Sequence, residues 1–204
     1  AVMLLSMMPA LTLPVLAEEP PASQKLTNTT DTEVTYQGAV GTGRAPSLVV
    51  DGDTSHNDNK YFVVGNDQTQ EKNETNPANP TYWIQLDLGK KYRLAEMKLF
   101  VYHGRALKNL VVLASDSSTF DTYRIIWNAE ENFFGLGTGD KEQFPNATVA
   151  GDTITLAAPT EAQYVRILNN GHTAGAGQGA HYFEIEVYGT EHTGGAPETM
   201  LYNV

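Results

Sequence analysis

The sequence predicts an all-β fold, and three observations support this prediction. Short runs of alternating or continuous apolar residues recur along the chain, separated by turns rich in Gly, Asn and Asp. No run of a dozen residues keeps a helical period. The chain has 18 Gly and 10 Pro and no Cys, which suits a turn-rich protein without a disulfide framework. Many short strands of this kind are typical of a β-sandwich or jelly roll.

Each strand is predicted from its own pattern of apolar residues. The run TYWIQLDLG alternates, and LAEMKLFVYH follows it after the basic turn KKYR. NLVVLAS is a continuous apolar run, and DTITLA, QYVRIL and HYFEIEVYG complete the set. In the first run, one face holds Ile84, Leu86 and Leu88. In the last run, alternation places Phe183, Ile185 and Val187 on one face and Tyr182, Glu184, Glu186 and Tyr188 on the other.

The two ends of the chain differ from the middle. Residues 1–17 carry no charge and end in VLA before Glu18, which predicts a secretory signal peptide that is truncated at its start. Residues 18–32 and 191–204 are polar and predict linkers, which leaves residues 33–190 as the folded domain. We therefore expect a secreted or cell-surface module, covalently linked to further domains, with no membrane insertion after signal removal.

The charge balance restricts the partners of the protein. Lys and Arg number 13 against 24 Asp and Glu, which gives a formal net charge of -11. A nucleic-acid partner is not expected, because the chain has no basic stripe. Anionic membranes would also repel this surface on average. Neutral sugars and cations remain possible ligands.

The acidic run VVDGDTSHNDNKYF is the strongest local signal. Asp51, Asp53 and Asp58 lie close together, and Gly52 permits a tight turn. Such a loop suits a hard cation such as Ca²⁺, which takes roughly 6 to 8 oxygen ligands. The same residues also suit a cluster of Asx turns, in which Asp side chains accept from backbone N–H groups. The local sequence does not separate these two interpretations.

Several blocks in order carry a resemblance to a known family. LVVDGDTS, YWIQLDLGKKYRLAEMKLF, GRALKNLVVLAS, AQYVRILNNG and HYFEIEVYG resemble the discoidin, or coagulation factor V/VIII type C, family over about Val34 to Gly189. More narrowly, the chain resembles carbohydrate-binding module family 32. The resemblance implies a discoidin-like (galactose-binding-like) jelly-roll β-sandwich with one structural Ca²⁺. It implies metal ligands at Asp51, Asp53, Ser55 and Glu184.

The same resemblance implies a sugar pocket among loops at one end of the sandwich. Arg105, in the run HGRALKN, matches an Arg that donates to sugar hydroxyls in the family, and a guanidinium fork suits two adjacent hydroxyls. The candidate platform for the apolar face of a sugar is Tyr61 and Phe62. The further candidate contacts are His103, Asn109, His172 and Tyr182.

The function expected from these residues is non-catalytic binding of a terminal, galactose-type sugar. Glu184 and Glu186 share one strand face and would not flank a bond from opposite sides, so catalysis by this chain is not expected. The module would instead bring the catalytic domain of a larger secreted carbohydrate-active enzyme to a glycan. The main alternative is a cell-surface or protein adhesion module that uses apolar loop tips such as Phe133 and Phe134. A third possibility is a structural spacer.

Overall fold

The computed structural model describes residues 22–38, 44–57, 60–64, 82–129, 139, 148–169, 171–172 and 179–192. The predicted signal peptide, Asp58, Phe133, Phe134 and most of the predicted loop 171–180 lie outside these residues. The described part contains eight strands and one short 3-10 turn, Pro46–Val50. The strands are β1 Gln24–Lys25, β2 Glu33–Gln37, β3 Phe62–Val64, β4 Trp83–Val101, β5 Val111–Ser115, β6 Arg124–Asn128, β7 Asp152–Leu168 and β8 Ala180–Glu191. The predicted all-β fold is confirmed.

All pairings are antiparallel, and two long strands belong to both layers of the sandwich. The first part of β4 pairs with β2 and with the end of β7, which continues through β5 to β6. The second part of β4 pairs with the start of β7 and with β8, which in turn pairs with β1 and β3. The strands therefore form two faces joined by the shared strands β4 and β7.

The runs TYWIQLDLG and LAEMKLFVYH form one strand rather than the two that the sequence predicts. Strand β4 continues through KKYR, and the register with β7 shifts between the pairs of Asp87 and Tyr92. Gly89 has a φ of 79° at this point, which permits the bend without ending the strand. DTITLA and QYVRIL likewise join in the single strand β7.

The hydrophobic core lies between the two faces. Ile84, Leu86 and Leu88 are buried as predicted. They pack in one cluster with Leu99 of the same strand and with residues of the other long strands, among them Val165, Ile167, Ile185 and Val187. The core therefore supports the ends of β4, β7 and β8, from which the loops of the candidate site begin.

The folded domain begins earlier than the sequence predicts. Strand β1 lies within the predicted linker 18–32 and pairs with β8, where Gln24 faces Gly189. Leu26 and Thr27 are both buried, and the ammonium of Lys25 lies 3.3 Å from Glu184 and 3.1 Å from Glu186. Polar composition alone suggested a linker, but these pairings make the segment part of the sandwich.

A β-bulge in β8 changes which side chains face the core. The register with β4 shifts between the pair of Glu184 with Phe100 and the pair of Tyr182 with Val101. Tyr182 therefore joins the core cluster with Ile185 and Val187, although simple alternation places it on the opposite face. Phe183 is turned away from that cluster and contributes to the candidate site.

Within the described ranges, no helix is long and apolar enough to cross a membrane.

Candidate functional site at the loop end

Loops from distant parts of the sequence meet at one end of the sandwich. The loop after β4 is fixed to the start of β8 by the Tyr102 N–H, which donates to His181 O at 3.0 Å. It is also fixed to the segment after β7, because the Lys108 N–H donates to Gly171 O at 3.0 Å. We call this region, formed by His56, Tyr61 and residues 102–109, 171–172 and 179–183, the loop end.

The run HGR that opens this loop forms a tight turn. Gly104 has a φ of 72° with open space around it, and the Arg105 N–H donates to Tyr102 O at 2.9 Å. Asn109 closes the loop with a φ of 49°, a left-handed conformation that Asn adopts more readily than most residues. The predicted ligand residue Asn109 therefore has a clear backbone role here.

A small pocket with aromatic and imidazole walls opens at the loop end. It measures about 150 Å³ and is lined by His56, Tyr102, His103, Val149 and Phe183. The His56 ring lies 4.5 Å from the Phe183 ring, and the Tyr102 and Phe183 rings stack at 5.8 Å. His56 has a φ of 51°, and a left-handed backbone at such a residue stores strain that is common at functional sites. Sequence reasoning identified only His103 among these residues.

Arg105 lies beside this pocket. Its guanidinium carbon is 4.3 Å from the centre of the Tyr102 ring, and Nη1 donates to His181 Nε2 at 3.2 Å. Burial lowers the pKa of His181 to about 4, and the nearby charges of Arg105 and His172 lower it further in the same direction. His181 is therefore neutral at physiological pH, and its Nε2 accepts the hydrogen bond from Arg105.

Tyr61 extends the aromatic cluster on the other side of His181. Its ring lies 4.9 Å from the His181 ring and 5.7 Å from the Phe183 ring. Arg44 lies over the Tyr61 ring, with its guanidinium carbon 3.5 Å from the ring centre. The predicted platform residue Tyr61 is thus half-buried between cations and aromatic rings.

Two predicted ligand contacts belong to the core instead. Phe62 and Tyr182 are fully buried and face each other in the β3–β8 register. Asn169 Nδ2 donates to the Tyr182 hydroxyl at 2.7 Å, which satisfies that buried polar group. The prediction that these two residues contact a ligand is therefore corrected, because both pack in the core. His172 is also buried, with its ring 5.6 Å from the His181 ring, and it supports the loop end from below.

We expect Tyr182→Phe to lower the free energy of unfolding by about 1 kcal/mol, because the buried Asn169 amide loses its acceptor. Urea denaturation measures this change. Tyr36→Phe is the matched control, since that ring is 41% exposed, and its effect should stay within about 0.5 kcal/mol. Equal effects of the two variants would argue against the core role of Tyr182.

The predicted metal residues also come together, at the loop that precedes His56. Glu184 is fully buried, and its Oε2 accepts from the Gly52 N–H at 3.1 Å, so the acidic loop is tied to the last strand. Asp51 Oδ1 accepts from the Asp53 N–H at 2.8 Å, and Asp53 Oδ1 accepts from the Ser55 N–H at 3.0 Å. These last two contacts are the Asx turns that the sequence also suggested.

The electrostatics of this loop are unusual at Glu184. Burial raises the pKa of Glu184 to about 7, although the Gly52 N–H and Lys25 lower it. Lys60 lies 2.7 Å from Asp53 and helps to hold the pKa of that carboxyl far below its usual range. The donors are carboxylates and carbonyls, which fit Ca²⁺ in kind. In the described part of the chain, however, no group of three or more His, Cys, Asp or Glu is arranged to hold a metal ion.

The fold and the loop end define an antiparallel β-sandwich that carries an aromatic pocket among its loops. The chain belongs to the F5/8 type C domain family, which it matches over residues 27–185. No match was found among curated proteins.

Three solved structures with a similar fold are bacterial proteins. The family 89 glycoside hydrolase from Clostridium perfringens, in complex with PUGNAc, is 20% identical with a TM-score of 0.57, and the match covers 87% of this chain and 16% of that one. The family 32 CBM from C. perfringens NanJ, in complex with galactose, is 14% identical over 82% of this chain and 99% of that one, with a TM-score of 0.51. A chitosan-binding module from a Paenibacillus chitosanase/glucanase is 20% identical over 81% and 99%, with a TM-score of 0.51.

Proposed function

We propose that the chain is a non-catalytic carbohydrate-binding module that holds a terminal sugar at the loop end. The observation that carries this proposal is the pocket of about 150 Å³ with ring walls, next to the guanidinium of Arg105. A pocket of this size suits one sugar ring rather than a long chain.

The pocket supplies both kinds of contact that a sugar needs. Tyr102 and Phe183 line the pocket and offer apolar surface to the C–H groups of a pyranose ring. His103 is exposed at the pocket rim, and Arg105 adds a fork of donors that can address neighbouring hydroxyls. Such a shallow site makes few contacts, so the dissociation constant should be on the order of 0.1 to 1 mM.

Galactose-type sugars are the first candidates. The similar NanJ module was solved with galactose, and the Paenibacillus module is described as binding chitosan. These names describe those proteins, and they support a sugar ligand here without selecting one. Chitosan-type oligosaccharides therefore belong in the same binding experiment.

We further propose that the chain acts as an accessory module of a larger secreted carbohydrate-active enzyme. It corresponds to only 16% of the matched family 89 glycoside hydrolase. A module of this kind raises the effective concentration of an attached catalytic domain near its glycan.

The acidic loop is proposed to hold one structural Ca²⁺. The residues that would hold it are Asp51, Asp53, Ser55 and Glu184, with backbone carbonyls of the same loop. The fit is supported by the buried carboxylate of Glu184, which faces this loop and carries a raised pKa. The ammonium groups of Lys25 and Lys60 form ion pairs with Glu184 and Asp53, respectively. A metal ion would therefore compete with these lysines for the two carboxylates.

A glycan array, with Ca²⁺ and again with EDTA, tests the proposed function. We expect binding to terminal sugars that weakens when the metal is removed. If the folded protein binds no glycan in either condition but binds a protein partner saturably, that result would support the adhesion module instead. Phe133 and Phe134, on which that alternative depends, lie outside the described residues.

A further inference from the structure

The loop end gathers positive and titratable groups on a chain whose formal net charge is -11. The sequence contains five His. Four of them, His56, His103, His172 and His181, lie at the loop end. The cations Arg44 and Arg105 lie in the same region. Among the described residues of the loop end, Arg105 and Lys108 are charged and none is an Asp or Glu, whereas the whole protein is acidic.

Arg105 differs in its partners from the buried Arg166 and the partly buried Arg124. Arg166 donates to Gln85 Oε1 at 2.9 and 2.6 Å, and Arg124 donates to Glu161 O at 2.7 Å. The guanidinium of Arg105 instead contacts a ring nitrogen of His181 and the face of Tyr102. Within the described residues, no carboxylate forms an ion pair with it.

The described side chains that contact Arg105 are the neutral rings of His181 and Tyr102. Among the described residues, the charged groups that act on neighbouring His181 are Arg105, His172 and Arg44, and none of them is an acid. Asp53, an acid three residues before His56, is already held by Lys60 at 2.7 Å. A half-buried guanidinium without an oxygen acceptor is stabilised most by a ligand that brings an anionic oxygen, because the two form a charge-assisted hydrogen bond.

We propose that the sugar taken at the loop end carries an anionic group, either a uronic acid carboxylate or a sulfate ester, and that Arg105 binds this group. The proposal rests on the proposed sugar-binding function and narrows its ligand class. A guanidinium presents parallel N–H donors that match a carboxylate or sulfate edge, and a charge-assisted pair is roughly twice as strong as a neutral one. The hydroxyls and C–H face of the ring would still contact His103, Tyr102 and Phe183.

The test compares three probes that differ only at C6 of the sugar: methyl galactoside, its galacturonate and its 6-sulfate. Titrations followed by NMR on the full chain give the dissociation constants at 50 mM and 500 mM NaCl. We expect an anionic probe to bind about tenfold more tightly than the neutral one at low salt. This preference should shrink at high salt, because the contact lies near the surface.

Two variants assign the preference to Arg105. Arg105→Gln keeps a donor amide but removes the charge, and the ratio of anionic to neutral affinity should fall to about one. Arg93→Gln, at an exposed arginine where β4 pairs with Thr190 of β8, is the matched control and should keep the full ratio. Thermal melting of each variant verifies that it is folded.

The outcomes separate this inference from the proposed function. A preference for the galacturonate alone, or for the 6-sulfate alone, supports the proposal and identifies the anionic group. Equal binding of all three probes overturns the anionic ligand and leaves sugar binding intact. If none of the three binds to the folded protein, both proposals fail for galactose-type ligands. A preference that persists in Arg105→Gln overturns the role of Arg105.

Discussion

Arg105→Ala is expected to weaken sugar binding at least tenfold, while the melting temperature stays close to that of the unchanged protein. The substitution removes the donor fork beside the pocket and the cation that stacks on Tyr102 at 4.3 Å. The stability effect should be small, because Arg105 makes one side-chain hydrogen bond and no described ion pair. Isothermal titration with a bound sugar from the glycan array, together with thermal melting, measures both effects.

The control for this result is Arg93→Ala, at an exposed arginine within strand β4 and outside the loop end. It should leave the sugar affinity unchanged within about twofold. Full binding by Arg105→Ala would show that the site has been placed in the wrong part of the loop end. Loss of binding together with a large drop in melting temperature would instead indicate that Arg105 has a structural role.

Removal of Ca²⁺ with EDTA is expected to lower the melting temperature, because a ligand that binds only the folded state stabilises it. At a metal concentration about 100 times the dissociation constant, the contribution is about 2.7 kcal/mol. Glu184→Gln should reduce this effect strongly, since it removes the buried carboxylate that would hold the ion. Glu33→Gln, at an exposed carboxyl in β2, is the control and should keep the response to EDTA. An unchanged melting temperature after EDTA treatment contradicts a bound structural metal.

The pH dependence of the metal-free protein gives a second test of Glu184. Its pKa is raised from 4.5 to about 7 in the folded state, mainly by burial. The folded state therefore binds more protons than the unfolded state between these values, and stability falls as pH rises from about 4.5 to 7. Each unit of this difference corresponds to about 1.4 kcal/mol. In EDTA, Glu184→Gln should flatten this slope, and an unchanged slope would assign it to other groups.

The architecture could be predicted from sequence because alternation and turn residues record it directly. Ile84, Leu86 and Leu88 are buried as their spacing indicates. The continuity of β4 through KKYR was not predictable from the sequence. The same residues are compatible with a turn between two strands and with one continuous strand that bends at Gly89, whose backbone is left-handed. A short pairing such as β1 with β8 is also invisible in polar composition, because it depends on a partner far along the chain.

The candidate site was predicted most completely where one loop contains it, although Tyr61 and His172 were also predicted from other segments. His103 and Arg105 lie in a single run, and both belong to the loop end. Phe183 was assigned to the core face of its strand, and the bulge beside it reverses that assignment together with that of Tyr182. A bulge shifts alternation by one residue, so no period of two can reveal it. His56 gave one usable signal, its position within the acidic run VVDGDTSHNDNKYF.

The most direct test of sugar binding at the loop end is a chemical-shift titration of the isotopically labelled full chain with methyl galactoside or its galacturonate. We expect saturable shifts at the pocket residues Tyr102, His103 and Phe183 and at the side chain of Arg105. The residues of the turn 116–122, at the opposite end of β5, should not respond. Saturable shifts confined to that opposite end, or none with any sugar found on the glycan array, would contradict a binding site at the loop end.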